Sequence, residues 1–159
     1  MSTVIHGRIA TLLRNFGLLP FFVLAAATWL PIDGNSPQAR RLVGIALVGY
    51  GAVVLSFLGA VHWGLVLRTP QLARAQAWNA LGWGVVPALL GWLAVLLAAA
   101  GVQMWLVLTF LIGDLVLCRL MDGNLLRMYP DLPSWFPTLR TRLTLGAIAA
   151  LLVALFSFH

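Results

Sequence analysis

The sequence predicts an all-α integral membrane protein, a compact bundle of five transmembrane helices with a cytoplasmic N-terminus and a periplasmic C-terminus. Three observations predict this class: hydrophobic residues make up 62% of the chain, charged residues make up 9%, and the apolar residues form five long segments. Because the chain has no lysine and no glutamate, it cannot build a polar surface around a water-soluble domain. The bilayer must therefore act as its solvent.

Each apolar segment approaches the length needed to cross a membrane. A hydrocarbon core of about 30 Å requires roughly 20 helical residues. The segments predict helices at about 14–30, 42–67, 77–100, 103–120 and 140–158, within a single transmembrane domain covering residues 1–159. The shorter segments span the core when flanking Arg, Asn or Gln side chains reach the headgroups.

The connections between the segments predict how the helices are joined. Asp33 and Gly34 form a turn signal after the first helix. The connection between Ala98 and Gln103 is short enough to require an antiparallel hairpin of the third and fourth helices. Two rows of small residues predict close packing between helices. They are Gly49, Ala52, Ser56 and Gly59 in the second helix, and Ala80, Gly84, Ala88 and Gly91 in the third.

Residues 121–139 form the long connection. This segment mixes apolar and aromatic residues with arginine and three prolines, and its candidate interfacial residues are Arg127, Trp135, Phe136 and Arg140. It is too apolar to extend into water and too rich in proline to form one helix, so we expect it in the cytoplasmic headgroup region. A lipid-facing connector and a functional lid both fit this composition.

The arginines predict the orientation. Arg40 and Arg41 lie on one side of the membrane, and the other eight arginines lie on the opposite side. By the positive-inside rule, the N-terminus is cytoplasmic, and in a bacterium the chain is a multi-pass protein of the inner membrane. A cleaved signal peptide and a mitochondrial transit peptide are the alternatives for the N-terminal segment. Nucleic acid is excluded as a partner because the basic residues are spread over short loops.

Asp114 is the strongest functional lead, because it is the one acidic residue inside a predicted span. A charge in lipid costs about 2.5–3.5 kcal/mol on insertion scales, so this carboxylate should have a partner. Counted from the arginines at the cytoplasmic helix ends, His62 and Asp114 lie at the same depth, and we expect them to face one another. The other polar residues that enter this layer are Arg14, Asn15, Asn79, Arg119 and Arg142. Together they predict an intramembrane polar pocket on the cytoplasmic side.

The residue inventory excludes several kinds of site. Bis-histidine haem ligation and zinc binding need further histidines within the membrane, and an intramembrane aspartyl protease needs a second carboxylate. We therefore expect no metal and no cofactor, and we assign no catalytic residue. A buried carboxylate with partners can fix helix register, whereas a His–Asp pair can bind a ligand or pass protons.

Three functions remain open at this point. The first is a non-catalytic binding or accessory protein that contacts membrane lipids and engages a lipid-like small molecule or a larger membrane complex. The second is a proton-coupled small transporter or channel that uses Asp114 and His62. The third is an enzyme acting on a lipid or a quinone. The sequence leaves the oligomeric state open.

Four segments resemble an uncharacterised family of small five-helix membrane proteins of proteobacteria, whose eukaryotic relative, transmembrane protein sixty-nine, is associated with mitochondria. The most specific segment is YGAVVLSFLGAVHWG at 50–64; the others are FGLLPF at 16–21, VPALLGW at 86–92 and LPSWFPTLR at 132–140. The resemblance implies five spans and an inner-membrane location, and it argues against a cleaved signal peptide. It implies no activity and no catalytic residue.

Overall fold

Five α-helices make up the structure, a computed structural model that describes residues 16–31, 36–69, 71–125, 129, 132–133 and 135–159. The helices are α1 (Phe16–Ala27), α2 (Pro37–Arg68), α3 (Arg74–Ala99), α4 (Met104–Leu125) and α5 (Trp135–Ser157). The described residues contain no strand, and α2 to α5 are each long and apolar enough to cross a membrane. The predicted all-α membrane fold is confirmed.

Two helices extend into the segment predicted as an interfacial loop. α4 continues past residue 120 to Leu125, and α5 begins at Trp135 rather than at about residue 140. The extension of α4 thus includes Asp122, and Arg140 lies in the second turn of α5 rather than at its start; both side chains are buried. The apolar pattern alone underestimates the length of both helices, because the pattern is interrupted by ionisable residues that pair inside the bundle.

Local sequence sets the ends of other helices. Ser36 caps the start of α2 and Pro37 occupies its first turn, where proline is favoured because it lacks an N–H that would otherwise be unpaired. α3 ends in a Schellman motif: Gly101 has φ +93°, and the Val102 N–H donates to the Leu97 carbonyl at 3.1 Å. This motif makes the tight antiparallel hairpin of α3 and α4.

α2 and α3 pack with their backbones in direct contact. A Cβ added at Gly59 would overlap the carbonyl oxygen of Gly84, and one added at Gly91 would lie 2.9 Å from the Cα of Ala52. Such close approach is how small residues stabilise helix pairs in membranes, where burial of apolar surface supplies little driving force. These members of the two predicted rows form an internal packing surface.

α2 and α4 run parallel in a fixed register. Three contacts define it: Gly44 with Met104, Gly51 with Leu111, and His62 with Asp122. The sequence separation is 60 residues in every pair, so Asp114 lies level with Val54 rather than with His62. The eight residues from Asp122 back to Asp114 correspond to about 12 Å along the helix.

α1 packs against α2 and α5. The Tyr50 hydroxyl donates to the Gly17 carbonyl at 2.8 Å, and the Tyr50 ring meets Phe21 edge to face with centroids 5.0 Å apart. Leu18 lies against Gly146 of α5. The chain alternates direction from α2 to α5, so α2 and α4 end where α3 and α5 begin. We call this the arginine-rich end, because it carries Arg68, Arg74, Arg119 and Arg142; Arg40 and Arg41 lie at the opposite end.

Candidate functional site

Three ionisable side chains from three helices meet inside the bundle near the arginine-rich end. His62 of α2, Asp122 of α4 and Arg140 of α5 are 1%, 2% and 5% exposed. The Arg140 Nε donates to Asp122 Oδ2 at 2.7 Å, and its Nη2 pairs with the same oxygen. The His62 Nε2 lies 3.3 Å from Asp122 Oδ1. Asp122 is therefore the centre of what we call the ionic network.

The ionic network is also tied to the backbone of α2. The Arg140 Nη2 donates to the Leu58 carbonyl at 3.2 Å, and the His62 Nδ1 lies 3.3 Å from the Gly59 carbonyl. Both ring nitrogens of His62 thus lie near oxygen atoms, and neither Nε2 nor Asp122 Oδ1 has a hydrogen-bond partner among the described residues. The Arg140 guanidinium compensates for part of the desolvation of the Asp122 carboxylate.

Asp114 is buried too, at 4% exposure, but its environment differs. Neither carboxylate oxygen has a hydrogen-bond partner among the described residues. The expected pairing with His62 is absent, since His62 contacts Asp122 instead. The register of α2 and α4 explains this, because Asp114 lies two turns away from the level of His62. Arg14 and Asn15, two of the polar residues predicted for the same layer, lie outside the described residues.

The remaining predicted site residues are spread over different surroundings. Asn79 and Arg142 are exposed, and Arg119 is half-buried and donates from Nη2 to the Thr141 hydroxyl at 2.8 Å. Of the interfacial candidates, Trp135 is exposed and Phe136 half-buried, while Arg127 lies outside the described residues. His62 and Arg140 are the predicted site residues that the structure brings together, since both contact Asp122.

Asp122 is the site residue that sequence reasoning missed. The Asp122-Gly123-Asn124 tripeptide is typical of a turn, and it falls at the start of the connection predicted at residues 121–139. A signal was nevertheless present: Asp114, Cys118 and Asp122 are spaced four residues apart, which places them on one face of a helix. All three are buried. Asp114 and Asp122 are the two acidic residues within the described part of the chain.

The arrangement limits the chemistry available. Across the described ranges, no group of three His, Cys, Asp or Glu residues is placed to hold a metal ion. Asp122 contacts Arg140 and His62, and His62 also approaches the Gly59 carbonyl. What the ionic network does directly is to join α2, α4 and α5 at one end of the bundle.

Fold and site together define a multi-pass helical membrane protein whose ionisable side chains are packed inside the helix bundle. The chain matches the family described as "Protein of unknown function (DUF3429)" over residues 7–156, and it belongs to that family. This confirms the resemblance seen in the sequence.

Two relatives carry the name transmembrane protein 69. The protein from Xenopus tropicalis is 36% identical over 140 residues, which cover 87% of this chain and 50% of the relative. The protein from Mus musculus is 28% identical over 144 residues, covering 87% of this chain and 52% of the relative. The chain thus spans about half the length of these relatives. No solved structure matches it significantly.

Proposed function

We propose that this protein is a non-catalytic binding or accessory protein of the bacterial inner membrane, in which the ionic network fixes the arrangement of the helices. The observation that carries this proposal is the closed packing of the network: its three members are at most 5% exposed and contact one another or the α2 backbone. Groups that bind substrate or conduct protons need access to water or to a ligand, which such packing opposes.

The nucleophilic side chains give no support for an enzyme. Cys118 is buried on the inner face of α4. Ser56 is exposed, but its hydroxyl donates to the Ala52 carbonyl of its own helix at 2.9 Å, and no base contacts it among the residues described. A nucleophile needs a base within hydrogen-bond reach and a substrate-sized space beside it.

The outer surface of the bundle is the region available for binding. Large apolar side chains are exposed on every helix; examples are Phe22, Phe57, Leu89, Leu106 and Phe156. In a membrane these faces contact acyl chains or another membrane protein. The proposed ligands are therefore a lipid-like molecule or a subunit of a larger membrane complex, recognised by packing against these helices.

Gentle solubilisation followed by native gel electrophoresis and mass spectrometry tests this function. The proposal predicts that tagged protein retains a partner subunit, or one lipid-like molecule enriched over its share of the membrane, at near-stoichiometric amount. Migration at the mass of this chain alone, with bound lipids in the same proportions as the bulk membrane, would count against it. An unrelated tagged five-helix protein from the same membrane serves as the background control.

A proton-coupled transporter or channel is the second candidate, and Asp114 is the observation that favours it. A buried carboxylate without a described partner resembles the proton-carrying acids of membrane transporters. Asp114→Asn distinguishes this candidate, because an amide cannot exchange a proton near neutral pH. Intact folding with loss of pH-dependent flux supports transport, whereas a destabilised Asp114→Asn protein that keeps this flux excludes the role of Asp114 in it.

A further inference from the structure

A cavity of about 500 Å³ opens at the end of the bundle opposite the arginine-rich end. It lies between the start of α2, the turn joining α3 to α4, and the end of α5. Its polar side chains come from Arg40, Arg41, Gln103, Ser157 and His159. The proposed function makes no use of this region, and the ionic network lies at the other end of the helices.

The two guanidinium groups are held in place by helix C-termini. The Arg41 Nη2 donates to the Ala98 carbonyl at 2.9 Å, in the last turn of α3, and the Arg40 Nη1 donates to the Ser157 carbonyl at 3.4 Å, at the end of α5. Each contact uses one of the five N–H donors of a guanidinium. The other N–H donors of both guanidinium groups therefore remain available to a ligand. The hydrogen bonds to the two carbonyls already fix the positions of the arginine side chains.

The electrostatics of the cavity favour an anion. Arg40 and Arg41 are the fourth and fifth residues of α2, near the helix N-terminus, where the helix dipole favours anions, and the first turn of α2 carries no acidic residue. α4 begins beside the cavity at Met104, again without an acid in its first turn. No acidic side chain is among the described residues that line the cavity. The positive charges of both arginines therefore favour an anion in the cavity.

Aromatic residues mark the depth of the cavity. The Trp105 Nε1 donates to the Gln103 side chain at 2.6 Å, and the Trp105 ring stacks on His159 with centroids 5.5 Å apart. Tryptophan is enriched at the membrane–water interface, where the phosphate groups of lipids lie.

We propose that this cavity binds a phosphate group, held by the guanidinium groups of Arg40 and Arg41. Paired N–H donors on a planar guanidinium match the oxygens of a phosphate, which a lysine ammonium cannot do in the same way. An anionic phospholipid carries this group at the depth marked by Trp105, and a soluble phosphate ester carries the same chemistry.

Native mass spectrometry of the purified protein tests the site, with phosphatidylglycerol, phosphatidylcholine and inorganic phosphate as probes. The Arg40→Gln, Arg41→Gln double variant should weaken binding of phosphatidylglycerol by about tenfold or more, since it removes charge-assisted hydrogen bonds. The matched control is Arg68→Gln, Arg74→Gln, which removes two exposed arginines at the other end and should leave this binding unchanged. Equal losses in the two double variants would overturn the proposal.

Two further variants keep the test decisive if the first one folds poorly. Gln103→Phe changes an exposed side chain at the cavity and should block binding while both arginines remain. Asp33 is the acidic residue nearest in sequence to Arg40 and Arg41, at a position outside the described residues. Binding of phosphatidylglycerol that appears only in the Asp33→Asn variant would overturn the proposal. Competition by inorganic phosphate at millimolar concentration identifies a soluble ester as the ligand, and retention of phosphatidylglycerol against it identifies the lipid.

Discussion

Replacing Arg140 by methionine should be among the most damaging single changes in the described part of this chain. The substitution removes both contacts to the Asp122 carboxylate and the hydrogen bond to the Leu58 carbonyl, while keeping a long apolar side chain. Asp122 is 2% exposed, so its charge cannot turn to water when its partner is lost. Removing one member of a buried ion pair costs about 3–5 kcal/mol, and we expect Arg140→Met to lower the free energy of unfolding by that amount.

A double-variant cycle tests this reasoning. Unfolding in mixed micelles can be followed by the fluorescence of the seven tryptophans. Asp122→Leu combined with Arg140→Met removes both charges, so it should recover most of the loss, because paired replacement by apolar residues is often neutral or stabilising. Arg142→Met is the control: this arginine is exposed on the same helix, and its loss should change stability by about 0.5 kcal/mol or less. Equal effects of Arg140→Met and Arg142→Met would refute the reasoning.

Three other predictions follow from single features of the structure. Asp114→Leu should raise the free energy of unfolding by about 1–3 kcal/mol, since it removes a buried carboxylate without a described partner; destabilisation in the same assay would reveal that a partner exists. Gly59→Val should destabilise by at least about 1–3 kcal/mol, because its side chain would overlap Gly84, whereas Gly82→Ala, with open space around its Cβ, should stabilise by about 0.5–1 kcal/mol. Alkaline phosphatase fused after His159 should be active, and a fluorescent protein that folds there instead would reject the predicted orientation.

Most of the fold could be predicted from the sequence because its main determinant is local. The apolar segments located five helices, of which four are long and apolar enough to cross a membrane, and the short link before Gln103 indicated the α3–α4 hairpin. Helix ends were less predictable where an ionisable residue continues a helix. The turn signal at Asp122-Gly123-Asn124 gave way to tertiary contacts, since Asp122 gains contacts with Arg140 and His62 by remaining helical.

The partners within the site could not be predicted, because they depend on the register between helices. Depth counted from arginines assumes that Arg68 and Arg119 end their helices at the same level. Arg119 instead lies within α4 and donates to Thr141, and the helix continues for more than a turn beyond it. Because the count misjudged the register by two helical turns, it predicted Asp114 as the partner of His62, whereas the partner is Asp122. The burial of Asp114 was expected, whereas the network around Asp122 required the structure.

The central claim is that the buried ionisable residues hold the bundle together and do not carry protons. Purified protein in liposomes loaded with a pH-sensitive dye tests it most directly, with an imposed pH gradient and potential and a protonophore as the positive control. We predict that the dye responds no faster than in empty liposomes, for the natural chain and for Asp114→Asn alike. A faster response that Asp114→Asn abolishes, in protein that remains folded, would contradict the claim.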